Sequence, residues 1–204
     1  MTATLKPSFK ITATLLNSWN YIYQVEDDKY QDAYDSFLKT LQRIKEPPNF
    51  FMLRGLEFEK DCYNGLVPDI SKVIRDGAYQ VYIEKQISLD PYNVTLVGVL
   101  DVLKEGVIYD IKRVNQYDLQ KYYTSYQHHI YFELVDEAQK FVYLIAAGTS
   151  DNKDYLTFYQ EEYSKQEKLD VANTISLFYQ FLRDNKLWET YTKNWEIKNT
   201  GEAL

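Results

Sequence analysis

Cysteine is almost absent: Cys62 is the only one in 204 residues. No disulfide can form within the chain, and no cysteine cluster can hold zinc or an iron–sulfur centre. That usage suits a reducing compartment, so a cytoplasmic location is the expectation. No apolar run reaches the ~20 residues of a membrane span. The stretch Met1-Thr-Ala-Thr-Leu-Lys-Pro7 lacks the charged-then-apolar pattern of a secretory leader. No membrane partner is expected. A basic excess is missing as well. Lysine and arginine total 23 against 30 acids, for a net charge of −7 and a pI of about 5.0. This opposes a nonspecific nucleic-acid binder held by charge alone. It still permits an enzyme that gathers its bases in one cleft and its acids around a metal. Repeats, low-complexity tracts and linkers are also lacking, so residues 1–204 are expected to form one domain.

What the chain has in plenty is aromatic: twenty tyrosines and ten phenylalanines. Most should be core, since a tyrosine buries its ring and keeps its hydroxyl near a partner. Some could stack on bases. The apolar spacing predicts helices over Thr12 to Tyr23, Asp28 to Ile44 and Phe50 to about Leu66, with Pro47-Pro48 as a break. A short helix from Pro68 stops near Gly77. Alternation then predicts strands at Tyr79 to Ile87, Val94 to Lys104 and Val107 to Arg113. A helix from Tyr117 to Val135 follows. Strands at Lys140 to Ala147 and Tyr155 to Gln160 come next, then a helix from Lys165 to Asn185. The sum is a mixed α+β domain, a central mixed sheet flanked by helices.

The informative stretch runs from Val97 to Lys112. If Glu105-Gly106 is a two-residue turn, Lys104 faces Val107 and Asp101 lies opposite Asp110. Opposed side chains have Cβ atoms about 4.5–5.5 Å apart, where like charges repel unless a cation sits between them. A three-residue loop with a bulge would shift the register by one and leave the acids diagonal. Asp110 and Lys112 point the same way because strand side chains alternate. Two carboxylates and an ammonium on one face of an apolar hairpin suggest a site. A surface ion pair of Asp101 with Lys112 is the plain alternative.

Two further features bear on it. Arg54-Gly-Leu-Glu-Phe-Glu59 sits inside a helix, with Glu59 one turn after Gly55. A helical glycine often marks a close approach. After the hairpin, Gln120, Gln127 and Tyr131 fall near one face of the next helix, with donors for phosphate or base. His128 and His129 are adjacent, about 100° apart on that helix, so they cannot clasp one ion together. Arg54, Arg113 and Lys121 are candidate phosphate contacts. Cys62 reads as core.

In order, Gly55-x-x-x-Glu59, Gly98-x-x-Asp101, Asp110-x-Lys112 and Gln127-x-x-x-Tyr131 resemble the PD-(D/E)XK nuclease superfamily, in its RecB-like and phage lambda exonuclease-like branches. The opening Ile11-Thr-Ala-Thr-Leu-Leu-Asn-Ser-Trp19 is similar to that of RecB-like domains. The resemblance spans roughly residues 11 to 131, and residues about 140–204 would complete the fold. It implies a restriction-endonuclease-like core and a DNA nuclease of phage or prophage recombination or repair type. Glu59, Asp101, Asp110 and the Ile111 carbonyl would hold a metal. Lys112 would position or activate the attacking water. Gln127 and Tyr131 would contact the DNA backbone, with Arg54 and Arg113 nearby. Hard oxygen ligands select Mg²⁺ or Mn²⁺, and no iron–sulfur cluster is expected. A recombination or single-strand-annealing protein is a candidate partner, and lambda exonuclease-like proteins can form rings, so homo-oligomers are also envisaged. The sequence departs from the pattern in two places: Leu100 replaces the proline of the family name, and Glu59 stands where many RecB-like proteins have histidine. Two other readings predict different outcomes. A catalytically silent copy of the fold would bind DNA or protein, or inhibit, without cutting. A generic α/β domain would place Glu59 far from Asp101 and Asp110.

Overall fold

The computed structural model describes residues 6–197. Strand β1 is Ser8–Thr12, followed by helix α1 (Ala13–Tyr21), a 3-10 turn at Asp27–Lys29 and α2 (Tyr30–Leu41). Helices α3 (Phe50–Tyr63) and α4 (Pro68–Ile74) lead into the strands β2 (Ala78–Leu89), β3 (Tyr92–Lys104) and β4 (Val107–Val114). Helices α5 (Leu119–Tyr123) and α6 (Gln127–Leu134) precede β5 (Lys140–Ala147) and β6 (Thr157–Ser164). Helices α7 (Val171–Asp184) and α8 (Trp188–Trp195) close the described chain. The six strands form one mixed sheet in the order β1-β3-β4-β5-β6, with β2 also paired to β3. The β1–β3 and β4–β5 pairs are parallel, and β3–β4 and β5–β6 are antiparallel. The expected mixed sheet with flanking helices is what the chain forms.

Two compact units divide the chain. The first draws on the described parts of 1–45, 84–98 and 169–204. Its core includes Phe9, Ile11, Leu15, Leu16, Phe37, Phe178 and Tyr191. Strand β1 was not foreseen, because five residues are too few to show a period beside a helix. The helix begins at Ala13 because the Thr12 hydroxyl accepts from the Leu15 amide at 3.2 Å and caps it. Tyr191 donates to the Lys10 carbonyl at 2.9 Å, and the Trp195 indole donates to the Leu41 carbonyl at 2.8 Å. These bonds seat α8. Helix α7 starts later than the spacing suggested. Lys165–Glu167 is a separate 3-10 turn, and Asp170 caps the helix through the Asn173 amide at 3.0 Å.

The second unit comprises Glu46–Ile83 and Val99–Lys168. Phe58, Cys62, Ile70 and Ile74 of α3 and α4 pack with Ile111, Val142, Leu144 and Ala146 of the sheet. Cys62 is core as expected, and burial pushes its thiol up to about 12. Helices α5 and α6 pack on the sheet through aromatic contacts: Tyr122 with Tyr143, and Tyr131 and Phe132 with Phe141. The single helix expected from Tyr117 to Val135 is broken in two. The Thr124 hydroxyl donates to the Gln120 carbonyl at 2.9 Å, which ends α5. The Ser125 hydroxyl accepts from the Gln127 amide at 3.2 Å, which starts α6. Such local side-chain bonds compete with helix continuation. Gln120 therefore does not share a helix face with Gln127 and Tyr131.

Two glycines reverse their expected roles. The place of Gly55 inside a helix suggests a close approach, but a Cβ there would meet nothing within 4 Å. Gly77 looked like a simple helix stop, yet a Cβ there would fall 2.5 Å from the Val102 side chain and 3.0 Å from the Ile74 carbonyl. Gly55→Ala should therefore raise stability by up to about 1 kcal/mol, the helix-propensity gain. Gly77→Ala should lower it by about 1–3 kcal/mol, as overpacking does. Urea unfolding of the two variants checks both signs.

His128 and His129 lie buried on α6, with His128 stacked on Tyr163 at 4.0 Å between ring centroids. Burial, aided by the charge of its neighbour His129, pushes His128 down to about 3. Burial, aided by Lys168, pushes His129 down to about 4. Unfolded histidine titrates near 6.5, so the unfolded chain takes up protons that the folded chain refuses. Stability is intact above about pH 6.5 and falls as pH drops through the window from 6.5 toward 4 and 3. Phenylalanine at 128 keeps the stack and does not titrate. The drop in Tm between pH 7.5 and 5.0 should be smaller in His128→Phe than in the parent. An equal drop would contradict the assignment.

Candidate active site

The β3–β4 turn sets the register of the site. Glu105 has φ 49° and Gly106 has φ 75°. Two positive values in succession make the tight hairpin turn that matches strand twist. The pairs Lys104↔Val107, Leu103↔Ile108 and Val102↔Tyr109 follow. This is the two-residue register, not the bulged one. The ladder runs to one step short of Asp101 and Asp110. There the Asp101 carboxylate takes over, accepting from the Ile111 amide at 2.8 Å.

Asp110 is only 2% exposed. Its two oxygens have separate partners. Gln127 donates to Oδ1 at 2.5 Å, and the Lys112 ammonium stands 2.5 Å from Oδ2. Lys112 reaches back from two residues along the same strand face, as alternation requires. The side chain of Lys112 is 36% exposed, so the lysine approaches the buried carboxylate along a partly open flank. Burial, then the adjacent negative charge of Asp110, push Asp101 up to about 8, with Glu59 adding to the rise. Lys112 and the Ile111 amide oppose that rise. The surrounding protein draws the Lys112 ammonium down, but Asp110 and Asp101 together hold it above its ordinary value.

Glu59 comes from α3 and is near enough to act on Asp101. Tyr63 fixes it there. Its hydroxyl donates to Glu59 Oε1 and lies 3.2 Å from the Asp101 carbonyl. Gln80 donates to the same Glu59 oxygen at 2.5 Å and to the Tyr63 hydroxyl at 3.0 Å. Gln80 adopts φ 52°, a left-handed backbone uncommon for a residue with a Cβ. Neither Tyr63 nor Gln80 was picked out from the sequence. Tyr63 could have been, since it lies one helical turn after Glu59. The backbone of Gln80 left no such signal.

The remaining candidates fall into two groups. Gln127 orients Asp110, while Tyr131, one turn on, donates to the Val99 carbonyl at 2.9 Å and ties α6 to β3. Arg54, Arg113 and Lys121 gather elsewhere, lining a pocket with Phe51, Asn115 and Gln116. The two guanidiniums also brace the turn after β5. Arg113 donates to the carbonyls of Gly148 and Ser150, both at 2.8 Å. Arg54 donates to the Ser150 carbonyl at 2.7 Å and pairs with Asp151 at 3.1 Å.

All the acidic donors here are hard oxygens, and two of them, the buried Asp110 and the half-buried Asp101, are adjacent carboxylates that repel each other. A divalent cation relieves that repulsion, so the donor chemistry fits Mg²⁺ or Mn²⁺. Among the described residues, no three histidine, cysteine or acidic side chains are already gathered as a metal cage.

By sequence, no family model and no curated protein matches the chain. Solved structures do. An alkaline exonuclease from Laribacter hongkongensis aligns at a TM-score of 0.53 and 14% identity, over 90% of this chain and 91% of that one. The chain has a nuclease-like fold. The same exonuclease in complex with dAMP aligns at 0.51 and 14% identity, over 90% and 92% of the two chains. At such identity the likeness is one of fold.

Proposed function

We propose that this chain is a metal-dependent deoxyribonuclease that hydrolyses phosphodiester bonds, an exonuclease of the phage-recombination or repair type. One observation carries the reading. A buried Asp110 and a half-buried Asp101 lie next to each other where the β3–β4 ladder ends, with Lys112 on the first and Glu59 beside the second. A fold shared with an exonuclease, and that protein's complex with a deoxynucleotide, support DNA as the substrate.

Glu59, Asp101, Asp110 and the Ile111 carbonyl would hold Mg²⁺ or Mn²⁺. When bound, the metal would supply a polarised phosphoryl oxygen and a water of lowered pKa. The chain does the rest. Lys112 places a positive charge where the attacking water and the scissile phosphate would meet, which favours the extra negative charge of the transition state. Gln127 holds the Asp110 carboxylate in one orientation, and the Ile111 amide holds that of Asp101. Tyr63 and Gln80 do the same for Glu59. Orientation of this kind turns flexible acids into a fixed ligand set.

A second reading has one observation in its favour. Among the described residues, no three acids are gathered as a cage, as would suit a nuclease fold that binds without cutting. Purified protein incubated with linear duplex, linear single-stranded and circular DNA, in Mg²⁺, Mn²⁺ or EDTA, separates the two. Metal-dependent loss of the linear substrates with circles spared is the expected result. A folded protein that cuts none of them in either metal would establish the second reading.

A further inference from the structure

The sheet register continues the site toward an edge. Lys112 pairs with Ile145, and Ile145 pairs with Tyr159 on β6. Neighbours across a sheet share a face, so these side chains lie in one row, on the same side as Asp110. Strands lie about 4.8 Å apart, so the row spans roughly 10 Å from Lys112 to Tyr159. β6 ends the strand order, and Tyr159 is 38% exposed.

Tyr159 is held by a second ring. Tyr117 lies against it with centroids 4.2 Å apart and planes 9° from parallel. The Tyr117 hydroxyl donates to Glu161, which fixes its plane. Tyr117 in turn lies 15° from parallel to Tyr122, at 6.1 Å. Tyr122 is only 3% exposed, and its hydroxyl finds no hydrogen-bond partner among the described residues. Asp110 and Lys112 are both close enough to act on that hydroxyl. Three near-parallel rings thus lead from the acid–lysine pair to an exposed ring at the sheet edge.

A surface tyrosine needs no such support to be soluble. A rigid, flat ring at the end of a stack is what an unpaired base stacks on. A buried hydroxyl with no partner is costly, and an arriving phosphate oxygen would relieve it. The chain carries a net charge of −7, and Glu161 and Asp118 flank the rings. Charge therefore does not explain how a polyanion would be held here, whereas ring faces do.

We propose that Tyr159, braced by Tyr117, is a stacking subsite for an unpaired nucleobase of the strand whose phosphate lies at Asp110 and Lys112. The ligand is single-stranded DNA, or the frayed end of a duplex, because a base inside a helix has no free face. The inference rests on the nuclease reading for the place of the phosphate.

The test is binding of a fluorescently labelled single-stranded oligonucleotide to the full chain by anisotropy, in EDTA and in Ca²⁺. Tyr159→Ala should weaken binding by about 5- to 100-fold, the range for loss of one base–aromatic stack. Tyr159→Phe should bind like the parent. Tyr159→Leu, which keeps the packing against Tyr117 without a flat ring, should behave like Tyr159→Ala. With an oligonucleotide of abasic residues the parent and the variants should converge, and at raised salt the difference between them should persist. Equal binding by parent and Tyr159→Leu, equal losses on the abasic strand, or no binding by the parent would overturn the subsite. Cleavage in Mg²⁺ by the same preparations keeps the two ideas apart. A parent that cuts, with a Tyr159→Leu variant that binds as it does, sinks the subsite alone. A parent that binds through Tyr159 but never cuts upholds the subsite and sinks the nuclease.

Discussion

Asp101→Asn is expected to lower magnesium-dependent cleavage by at least about 10²–10³-fold. Metal stabilisation of the phosphoryl charge is worth several kcal/mol, and each 1.36 kcal/mol is tenfold in rate. The asparagine keeps the shape of the side chain, but it cannot offer a charged oxygen or share the repulsion with Asp110. Lys112→Met should show a loss of similar size, because the ammonium is the nearest positive charge to the acids. Gln127→Ala should lose less, about 10- to 100-fold, since Gln127 acts through Asp110 by fixing its orientation. Single-turnover rates on end-labelled linear DNA would rank the three. Asp101→Asn retaining activity within about tenfold of the parent would be incompatible with a role for Asp101 in holding the metal.

The second large effect concerns stability, and its sign follows from exposure. Asp110 is 2% exposed while the Lys112 side chain is 36% exposed. Lys112→Met strands a buried carboxylate with no ion partner, a change that costs up to about 3–5 kcal/mol. Asp110→Asn leaves an ammonium on a long, partly exposed side chain that keeps the Asp101 charge nearby, and it also relieves Asp101 of a like charge. Its cost should be smaller, about 1–2 kcal/mol for the lost charged hydrogen bonds. The double variant removes both charges and should be more stable than Lys112→Met alone. Urea unfolding of the parent, the two single variants and the double variant gives the coupling directly. Additive losses, or a larger loss from Asp110→Asn than from Lys112→Met, would mean that the pair is not buried in the way described.

Sequence showed some of this and concealed the rest, for physical reasons. Alternation in Val107–Val114 and the Glu105-Gly106 pair located the hairpin and left two registers for it, because both signals are local; the positive φ of Glu105 and Gly106 decides between them. The placement of Glu59 rested on order along the chain and on a resemblance. Its place beside Asp101 is held by Tyr63 and Gln80, which a period cannot reveal. The break between α5 and α6 was missed because the apolar spacing continues across Thr124 and Ser125, while two hydroxyls redirect the backbone. β1 was missed because its last residue, Thr12, also caps α1. The row of tyrosines was invisible for a different reason. Tyr117, Tyr122 and Tyr159 come together only through the pairing of β4, β5 and β6.

The account turns on whether Asp101 and Asp110 bind a divalent metal. Electron paramagnetic resonance of Mn²⁺ titrated with protein reads this without any DNA or turnover. The parent should remove Mn²⁺ from the free signal saturably, and Asp101→Asn/Asp110→Asn should leave it free. Free Mn²⁺ in the presence of excess folded parent, or equal binding by the double variant, would contradict the account and leave Asp101, Asp110 and Lys112 as a structural charge cluster.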